Sequence, residues 1–275
     1  MSTLFACHMP RLMLFFLVAA SCSVKEVRED CPCVLSIYPD DKLESDVYRT
    51  ISSSFSIIDS VNEDRYSSGS FGSDVFSGGK PCKLKIPKAR VNLSCIFGIR
   101  KMKGDGSVLR ISEGSQADSV YIYGSNIDCT GEQATDTLNL AKQWCSMRIS
   151  FKKSDDWMPE SCTLKSEWDG FDVNTLLATK GDFSFKAEQV EEGSFQARIP
   201  RQGNDSLTLS YTYDNGHNVL STKSFPIGEY IAKARYDWMK KNLDDLVVLI
   251  DRSEIRVEVV VPNWDKGTDY GDVEY

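Results

Sequence analysis

The sequence predicts an all-β protein of two β-sandwich domains with one or two short helices. Three observations lead to this prediction. Apolar and polar residues alternate along many short segments, an Asn-Gly pair separates two of those segments, and a chain of 275 residues suits two domains of ordinary size. Hydrophobic residues make up 41% of the chain, which is enough to fill two packed cores.

Alternation with a period of two is clearest over residues 91–99. Val91, Leu93, Cys95 and Phe97 fall on one face of this predicted strand, as expected where one face of a sheet is buried. The same alternation predicts six further strands, and these lie at 34–38, 145–151, 162–168, 195–199, 207–213 and 255–261. The body of the protein is therefore predicted to consist mostly of strands.

One hairpin and one helix are also predicted in the C-terminal half. Asn215-Gly216 lies between 207–213 and 219–225 and supplies the positive φ angles of a tight hairpin turn. A helix is predicted near residues 228–242, because apolar residues recur there at three-to-four-residue spacing. These apolar residues are Ile227, Tyr230, Ile231, Ala234, Trp238 and the following Leu243.

The two domains are predicted to meet near residues 141–143. A polar stretch ends there and a new alternating segment begins. We therefore place an N-terminal β-sandwich domain at 34–143 and a C-terminal one at 144–275.

A short apolar run near the N-terminus is typical of a secretory signal peptide. Arg11 precedes nine apolar residues at 12–20, and small residues follow before Cys22. As a helix this run would span roughly 14 Å at about 1.5 Å per residue, less than half of the ~30 Å hydrocarbon core of a membrane. We therefore predict a signal peptide at 1–21 rather than a transmembrane helix.

Cys22 is the predicted lipid attachment site. Residues 18–22, Val-Ala-Ala-Ser-Cys, resemble a bacterial lipobox, in which small residues precede a cysteine that receives diacylglycerol and an acyl chain. Two or more acyl chains hold a protein firmly on a membrane, so residues 22–33 are predicted to form a lipidated tether. The alternatives are an ordinary signal peptide followed by a structural cysteine, and translation that begins at Met9 rather than Met1.

The charge balance and the histidine count exclude several classes of function. The net charge of -8 gives no basic surface for the phosphate backbone, so nucleic acid is not an expected partner. The chain has two histidines, of which His8 lies in the predicted signal peptide and His217 in the predicted turn. A histidine metal site and a Ser-His-Asp or Cys-His arrangement are therefore not expected.

Cys31 and Cys33 are interpreted as structural cysteines. They are separated by one proline, whereas redox motifs usually have two intervening residues, and no second closely spaced pair completes a zinc site. Seven cysteines follow Cys22, which is an odd number. Outside the cytoplasm they can form disulfides whose connectivity stays open, with at least one thiol unpaired or paired between chains.

The sequence carries no enzyme signature. Neighbouring carboxylates such as Asp155 and Asp156 would point to opposite faces of a strand, so they are interpreted as solvated loop residues. The segment 78–80, Gly-Gly-Lys, lacks the first glycine and the hydroxyl residue of a P-loop. We predict a protein that is not an enzyme, with no small-molecule substrate and no cofactor besides the lipid on Cys22.

Two parts of the sequence together resemble a known family. The resemblance rests on Cys22, 29–35 (Glu-Asp-Cys-Pro-Cys-Val-Leu), 225–230, Asp237-Trp238, 243–251 and 255–261 before Trp264. The Cys-Pro-Cys segment and the C-terminal block are the specific parts. In this combination the chain resembles the FimB-like fimbrial anchor family, the fimbrillin-associated lipoproteins of type V fimbriae. The resemblance covers most of the chain beyond the signal peptide.

This resemblance implies a fold, a location and a partner. The family has two tandem transthyretin-like Greek-key β-sandwich domains and is an outer-membrane lipoprotein at the cell surface that holds the base of a fimbria and limits its length. Cys22 would carry the lipid, Cys31 and Cys33 would be structural, and a fimbrial stalk subunit would be the protein partner. One face of a terminal strand would take part in strand complementation, and its residues are Ile255, Val257, Val259 and Val261.

Two functional alternatives stay open at this point. The chain resembles an anchor, but a related accessory or tip subunit would share these segments, and cleavage after Arg28 or Arg49 is not determined by the sequence. A surface lipoprotein that binds glycans is the competing class. Among the tryptophans only Trp157 lies in an evidently polar segment, so the sequence offers little of the aromatic surface that sugars stack on.

Overall fold

The computed structural model describes residues 31–40, 53–72, 74–105, 107–152, 158–214, 219–251 and 254–260. Within these ranges the chain forms nineteen β-strands and one α-helix. The all-β prediction is therefore confirmed.

The first ten strands lie between residues 33 and 142. In chain order they are β1 (Cys33–Tyr38), β2 (Ser53–Asp59), β3 (Arg65–Gly69), β4 (Cys82–Ile86), β5 (Arg90–Phe97), β6 (Lys103–Asp105), β7 (Val108–Arg110), β8 (Tyr121–Asp128), β9 (Gln133–Thr137) and β10 (Ala141–Lys142). A 3-10 turn at Ser77–Gly79 precedes β4.

Eight of these strands form the N-terminal sandwich. Its three-stranded sheet has the order β4–β1–β9, and its five-stranded sheet has the order β10–β8–β5–β2–β3. Leu35 and Ile37 from the first sheet and Leu93 and Cys95 from the second have no exposed surface and belong to one apolar cluster. The two sheets therefore pack face to face, as in a β-sandwich.

The remaining elements follow β10. They are β11 (Trp144–Phe151), β12 (Pro159–Asp172), β13 (Ala178–Lys186), β14 (Glu188–Glu191), β15 (Ser194–Pro200), β16 (Thr208–Asp214), β17 (Leu220–Phe225), α1 (Ile227–Lys233), β18 (Asp245–Asp251) and β19 (Glu254–Val260). Each predicted strand overlaps one of the observed strands, because each had the alternation of a half-buried strand.

The C-terminal sandwich also consists of two sheets. One has the order β17–β16–β12–β7–β6, with β13 on the other edge of β12, and the second has the order β14–β15–β11–β18–β19. Phe151 of the second sheet packs edge-on against Tyr211 of the first, with ring centroids 4.9 Å apart. Edge-to-face pairs are favourable in sandwich cores, and this pair joins the two layers.

The predicted hairpin around Asn215-Gly216 is confirmed in its strands. β16 and β17 pair antiparallel from Leu209 opposite Phe225 to Asp214 opposite Leu220. The turn itself, including His217, lies outside the described residues.

The helix is shorter than predicted. It covers Ile227–Lys233, whereas the sequence predicted a helix near 228–242. Arg235 takes a left-handed φ of 59°, and its N–H donates to the carbonyl of Ala232 at 3.0 Å, which closes the last turn. Asp237 then accepts a hydrogen bond from the N–H of Met239 at 2.8 Å, a local bond that competes with helix.

The hairpin of β6 and β7 connects the two sandwiches. Residues 103–105 are all exposed, but they pair with β7, and β7 pairs with β12 of the C-terminal sandwich. The division into domains at 34–143 and 144–275 stays a prediction. The pairing of 108–110 with 170–172 crosses that proposed boundary.

Gly170 is required where β7 meets β12, and Gly170→Ala is expected to destabilise the protein by about 1–3 kcal/mol. A Cβ at this position would collide with the backbone carbonyl of Leu109 on β7, which cannot move without breaking the pairing. Urea unfolding followed by circular dichroism measures the effect. Gly124→Ala on β8 is the matched control, since its Cβ would meet nothing closer than 4.0 Å. Equal stability of the two variants would contradict the close approach of β7 to β12.

Candidate functional site

β1 is the central strand of its sheet and holds that sheet together. It pairs antiparallel with β4 and parallel with β9, and these two neighbours do not pair with each other. Cys33, Leu35 and Ile37 point inward and are fully buried. Backbone hydrogen bonds also fix both ends of β1. The N–H of Val34 donates to the carbonyl of Glu132 at 2.9 Å, and the carbonyl of Tyr38 accepts from the N–H of Leu138 at 3.0 Å.

A cleft would open between β4 and β9 without this strand. Each neighbour would then have a row of unpaired backbone N–H and C=O groups. Such groups at a sheet edge attract another strand. The first strand therefore fills a position that another chain's strand could otherwise occupy.

The last described strand, β19, lies at the edge of its sheet. It pairs antiparallel with β18, and the strand order of the described residues places no strand on its other side. Register puts Ile255, Val257 and Val259 opposite Ile250, Val248 and Leu246, which are three buried residues. Residues directly opposite each other across two paired strands lie on the same face of the sheet.

The predicted site residues fall in different places. Cys22 and Val261 lie outside the described residues. Cys31 is exposed, and Cys33 is buried in the apolar core. Ile255, Val257 and Val259 belong to β19, the last described strand, whereas Cys33 begins β1, the first described strand.

A buried ion pair fixes the start of β18, the strand that supports β19. Lys142 of β10 forms an ion pair with Asp245, and both side chains are only 3% exposed. Asp245 also accepts a hydrogen bond from the N–H of Ser146 at 2.6 Å. Burial raises the pKa of Asp245, and Lys142 opposes this effect by favouring the charged form.

Lys142 lies where the chain passes from one sandwich to the other. β10 is an edge strand of the N-terminal sandwich, and β11 begins two residues later in the C-terminal one. The N–H of Lys142 donates to the side chain of Asn242 at 2.8 Å, and its carbonyl accepts from the N–H of Leu243 at 3.0 Å. These bonds and the ion pair hold residues 242–245 against the junction between β10 and β11.

Arg201 extends the polar network and is completely buried. Its guanidinium donates to the carbonyl of Lys240 at 3.0 Å and to the side chain of Gln143 at 2.7 Å, and it also donates to the carbonyl of Trp238. Burial lowers the pKa of Arg201 to about 10. A guanidinium with this pKa stays charged at neutral pH. It therefore binds the backbone carbonyls of the segment after α1 as a cation.

Sequence reasoning missed this network, because Lys142, Gln143 and Arg201 are polar residues in segments that gave no motif. It also missed the position of β1 between its two neighbours, because alternation indicates a strand but not its partners. No helix in the described part of the chain is long and apolar enough to span a membrane.

Comparison with known proteins shows which solved structures share the fold of this chain. No family model matches the chain, and none of the curated proteins matches it. Among solved structures, a candidate polysaccharide-binding protein from Bacteroides thetaiotaomicron has a TM-score of 0.56 at 15% identity, with 86% of this chain and 97% of that chain covered.

Two further solved structures share this architecture. A candidate adhesin from Bacteroides thetaiotaomicron has a TM-score of 0.56 at 11% identity, with coverage of 85% of this chain and 99% of that chain. The tip fimbrial protein Mfa3 from Porphyromonas gingivalis, with a C-terminal truncation, has a TM-score of 0.52 at 10% identity, with coverage of 84% and 99%. The chain therefore has a fold also found in fimbrial and adhesin-type β-sandwich proteins, which confirms the predicted resemblance at the level of the fold.

Proposed function

We propose that this protein is a non-enzymatic lipoprotein of the outer membrane, on the cell surface, that anchors the base of a fimbria and limits its length. A stalk subunit would be held through β-strand complementation, and the lipid on Cys22 would hold the complex on the membrane. The observation that carries this proposal is the edge position of β19 beside β18.

An edge strand is suited to strand addition because one row of its backbone groups faces outward. A strand from a stalk subunit laid along β19 would extend the five-stranded sheet, with main-chain hydrogen bonds supplying affinity and alternate side chains supplying specificity. Charged residues on an edge strand discourage random pairing. β19 carries Glu254, Arg256 and Glu258, and Arg256 is exposed, so a partner strand would need complementary charges.

A first strand that stays in the mature protein would favour a terminal position in the fibre. β1 occupies the centre of its own sheet, so the place between β4 and β9 is not open to a strand from a neighbouring subunit. A subunit that has lost β1 can accept a neighbour's strand between β4 and β9, whereas a subunit that keeps β1 cannot. Such a subunit ends a chain of complementing subunits and thereby limits fimbrial length.

Cys22→Ala tests the anchoring role in the native host. We expect this protein and its fimbriae to move from the cell fraction into the medium, with longer fibres in electron micrographs, because the acyl chains provide the attachment. Cys31→Ala is the matched control, since this exposed cysteine lies just beyond the lipobox and its loss should leave both fractions unchanged. Release of this protein while the fimbriae stay on the cell with normal length would overturn the proposal.

A surface lipoprotein that binds glycans is the second candidate, supported by the likeness to a candidate polysaccharide-binding protein. The described tryptophans are largely engaged within the protein. Trp144 lies beside the ammonium of Lys142, 4.2 Å from its ring centroid, and Trp168 donates to Asn204 at 2.8 Å. A glycan array probed with the soluble chain separates the two candidates, because the anchor proposal predicts no specific binding.

A further inference from the structure

Two buried cysteines approach each other at one end of the N-terminal sandwich. Cys33 begins β1 and lies opposite Ile86, the last residue of β4. Cys129 directly follows β8, and its N–H donates to the carbonyl of Ala89 at 2.9 Å. Ile86 and Ala89 are three residues apart in the connection between β4 and β5, so both cysteines lie beside the same short connection.

A second path along the backbone gives the same proximity. The N–H of Val34, next to Cys33, donates to the carbonyl of Glu132 at 2.9 Å, and Glu132 lies three residues after Cys129. Both cysteine side chains have no exposed surface and belong to one apolar cluster. After burial, the neighbouring Cys33 thiol is the next cause of the raised pKa of the Cys129 thiol. The two backbone paths and the shared apolar cluster therefore place the two cysteines near each other.

We propose that Cys33 and Cys129 form a disulfide that covalently attaches β1 to the rest of the N-terminal sandwich. The structure holds both residues as free thiols, so the bond requires an oxidant. A thiol–disulfide oxidoreductase outside the cytoplasm supplies it. The thiolate of one cysteine attacks a sulfur of the oxidoreductase disulfide, and the second cysteine then displaces the enzyme from the mixed disulfide.

The atoms balance in this exchange. The pair of cysteines loses two electrons and two protons, and the oxidoreductase leaves with its two cysteines reduced to thiols. Disulfides persist in extracytoplasmic compartments, which agrees with the signal peptide predicted at 1–21.

Burial determines when this bond can form. It raises the pKa of the Cys129 thiol, which keeps that thiol protonated in the folded protein. Only the thiolate takes part in disulfide exchange, so the oxidation must happen before the core closes around the two cysteines. After closure the same burial shields the disulfide from reductants.

The bond would keep β1 in place even if the chain were cut after it. Residues 41–52, which contain Arg49, connect β1 to β2 in the sequence. A cut there would leave the β1 segment attached through hydrogen bonds and apolar packing alone if the thiols were free. With a disulfide, the segment would stay attached through a covalent bond to residue 129.

The first test maps the disulfide in the full mature chain after secretion into an oxidising compartment. Free thiols are alkylated in denaturant without reductant, and the digest is analysed by mass spectrometry. We expect a linked peptide pair that contains Cys33 and Cys129, lost in Cys129→Ser and retained in Cys162→Ser, a buried cysteine of the other sandwich. Full alkylation of both cysteines, or Cys33 linked to any other cysteine, would overturn the proposal.

The second test measures retention of β1 directly. A protease site placed within residues 41–52 is cut in the folded protein, and the products are separated in denaturant. One species is expected without reductant and two with reductant, whereas Cys33→Ser should give two in both conditions. Two species from the unmodified pair without reductant would overturn the proposal. Neither test needs a fimbria, so their outcome is independent of the anchoring role.

Discussion

Lys142→Met is expected to lower the free energy of unfolding by about 3–5 kcal/mol, the usual cost of removing one partner from a buried ion pair. The substitution keeps most of the apolar stem of Lys142 but leaves the carboxylate of Asp245 buried without its cation. The N–H of Ser146 would still donate to that carboxylate, and this single bond cannot replace the lost charge. Urea unfolding followed by tryptophan fluorescence measures the loss.

Two further variants isolate the charge effect. Lys142→Met combined with Asp245→Asn removes the uncompensated charge and keeps an acceptor for Ser146, so much of the lost stability should return. Lys240→Met is the exposed counterpart, since the pair of Lys240 and Asp244 is partly solvated and should change stability by about 0–1 kcal/mol. Similar losses for Lys142→Met and Lys240→Met would contradict the role assigned to the buried pair.

The loss in Lys142→Met should also depend on pH. Burial raises the folded-state pKa of Asp245, and Lys142 is the cation among the described residues that opposes this effect. A carboxyl whose folded pKa stands above its unfolded pKa holds its proton more tightly when folded. The free energy of unfolding of the variant should therefore approach that of the parent protein as the pH falls. It should decrease relative to the parent protein as the pH rises through the folded pKa of Asp245.

Leu35→Ala is expected to lower the free energy of unfolding by about 2–5 kcal/mol, because it leaves a cavity in the middle of β1. Leu35 is fully buried and lies opposite Leu84 on β4 and Ala134 on β9. Since β1 joins these two strands in the sheet that the described residues form, weaker packing of β1 weakens the whole three-stranded layer.

Ser36→Ala is the matched control for this strand. Ser36 is the next residue, lies on the other face and is half-buried, so its replacement should change stability by less than about 0.5 kcal/mol. All five tryptophans lie at or beyond residue 144, so far-UV circular dichroism is needed to follow the N-terminal sandwich. Equal unfolding midpoints for Leu35→Ala and Ser36→Ala would show that β1 does not hold its sheet together.

The strands could be predicted because a half-buried strand leaves its period of two in the sequence. Val91, Leu93, Cys95 and Phe97 alternate with less buried residues, and all four are buried. The helix was predicted too long because its spacing of apolar residues does not require a helix. Trp238 is half-buried and Leu243 is buried, but both lie beyond the end of α1, so their spacing matched a helical pattern without a helix.

Other features could not be predicted because they show no alternation or depend on pairing between distant segments. β6 has three exposed residues and therefore shows no alternation, although it pairs with β7. The parallel pairing of β1 with β9 leaves no local signal in either strand. The proximity of Cys33 to Cys129 depends on that pairing, so the sequence left the disulfide connectivity open.

The two parallel pairings impose an order on folding. Leu35 pairs with Ala134 and Ile149 with Val248, so each sandwich joins a strand near its beginning to a strand near its end. Contacts between residues so distant in sequence slow folding, because a long loop must close before the pairing stabilises it. A chain that emerges from a membrane N-terminus first would keep β1 unpaired on one side until residue 137 has crossed. If the chain is exported in this way, this topology makes it most vulnerable to aggregation during export, before the fold is complete.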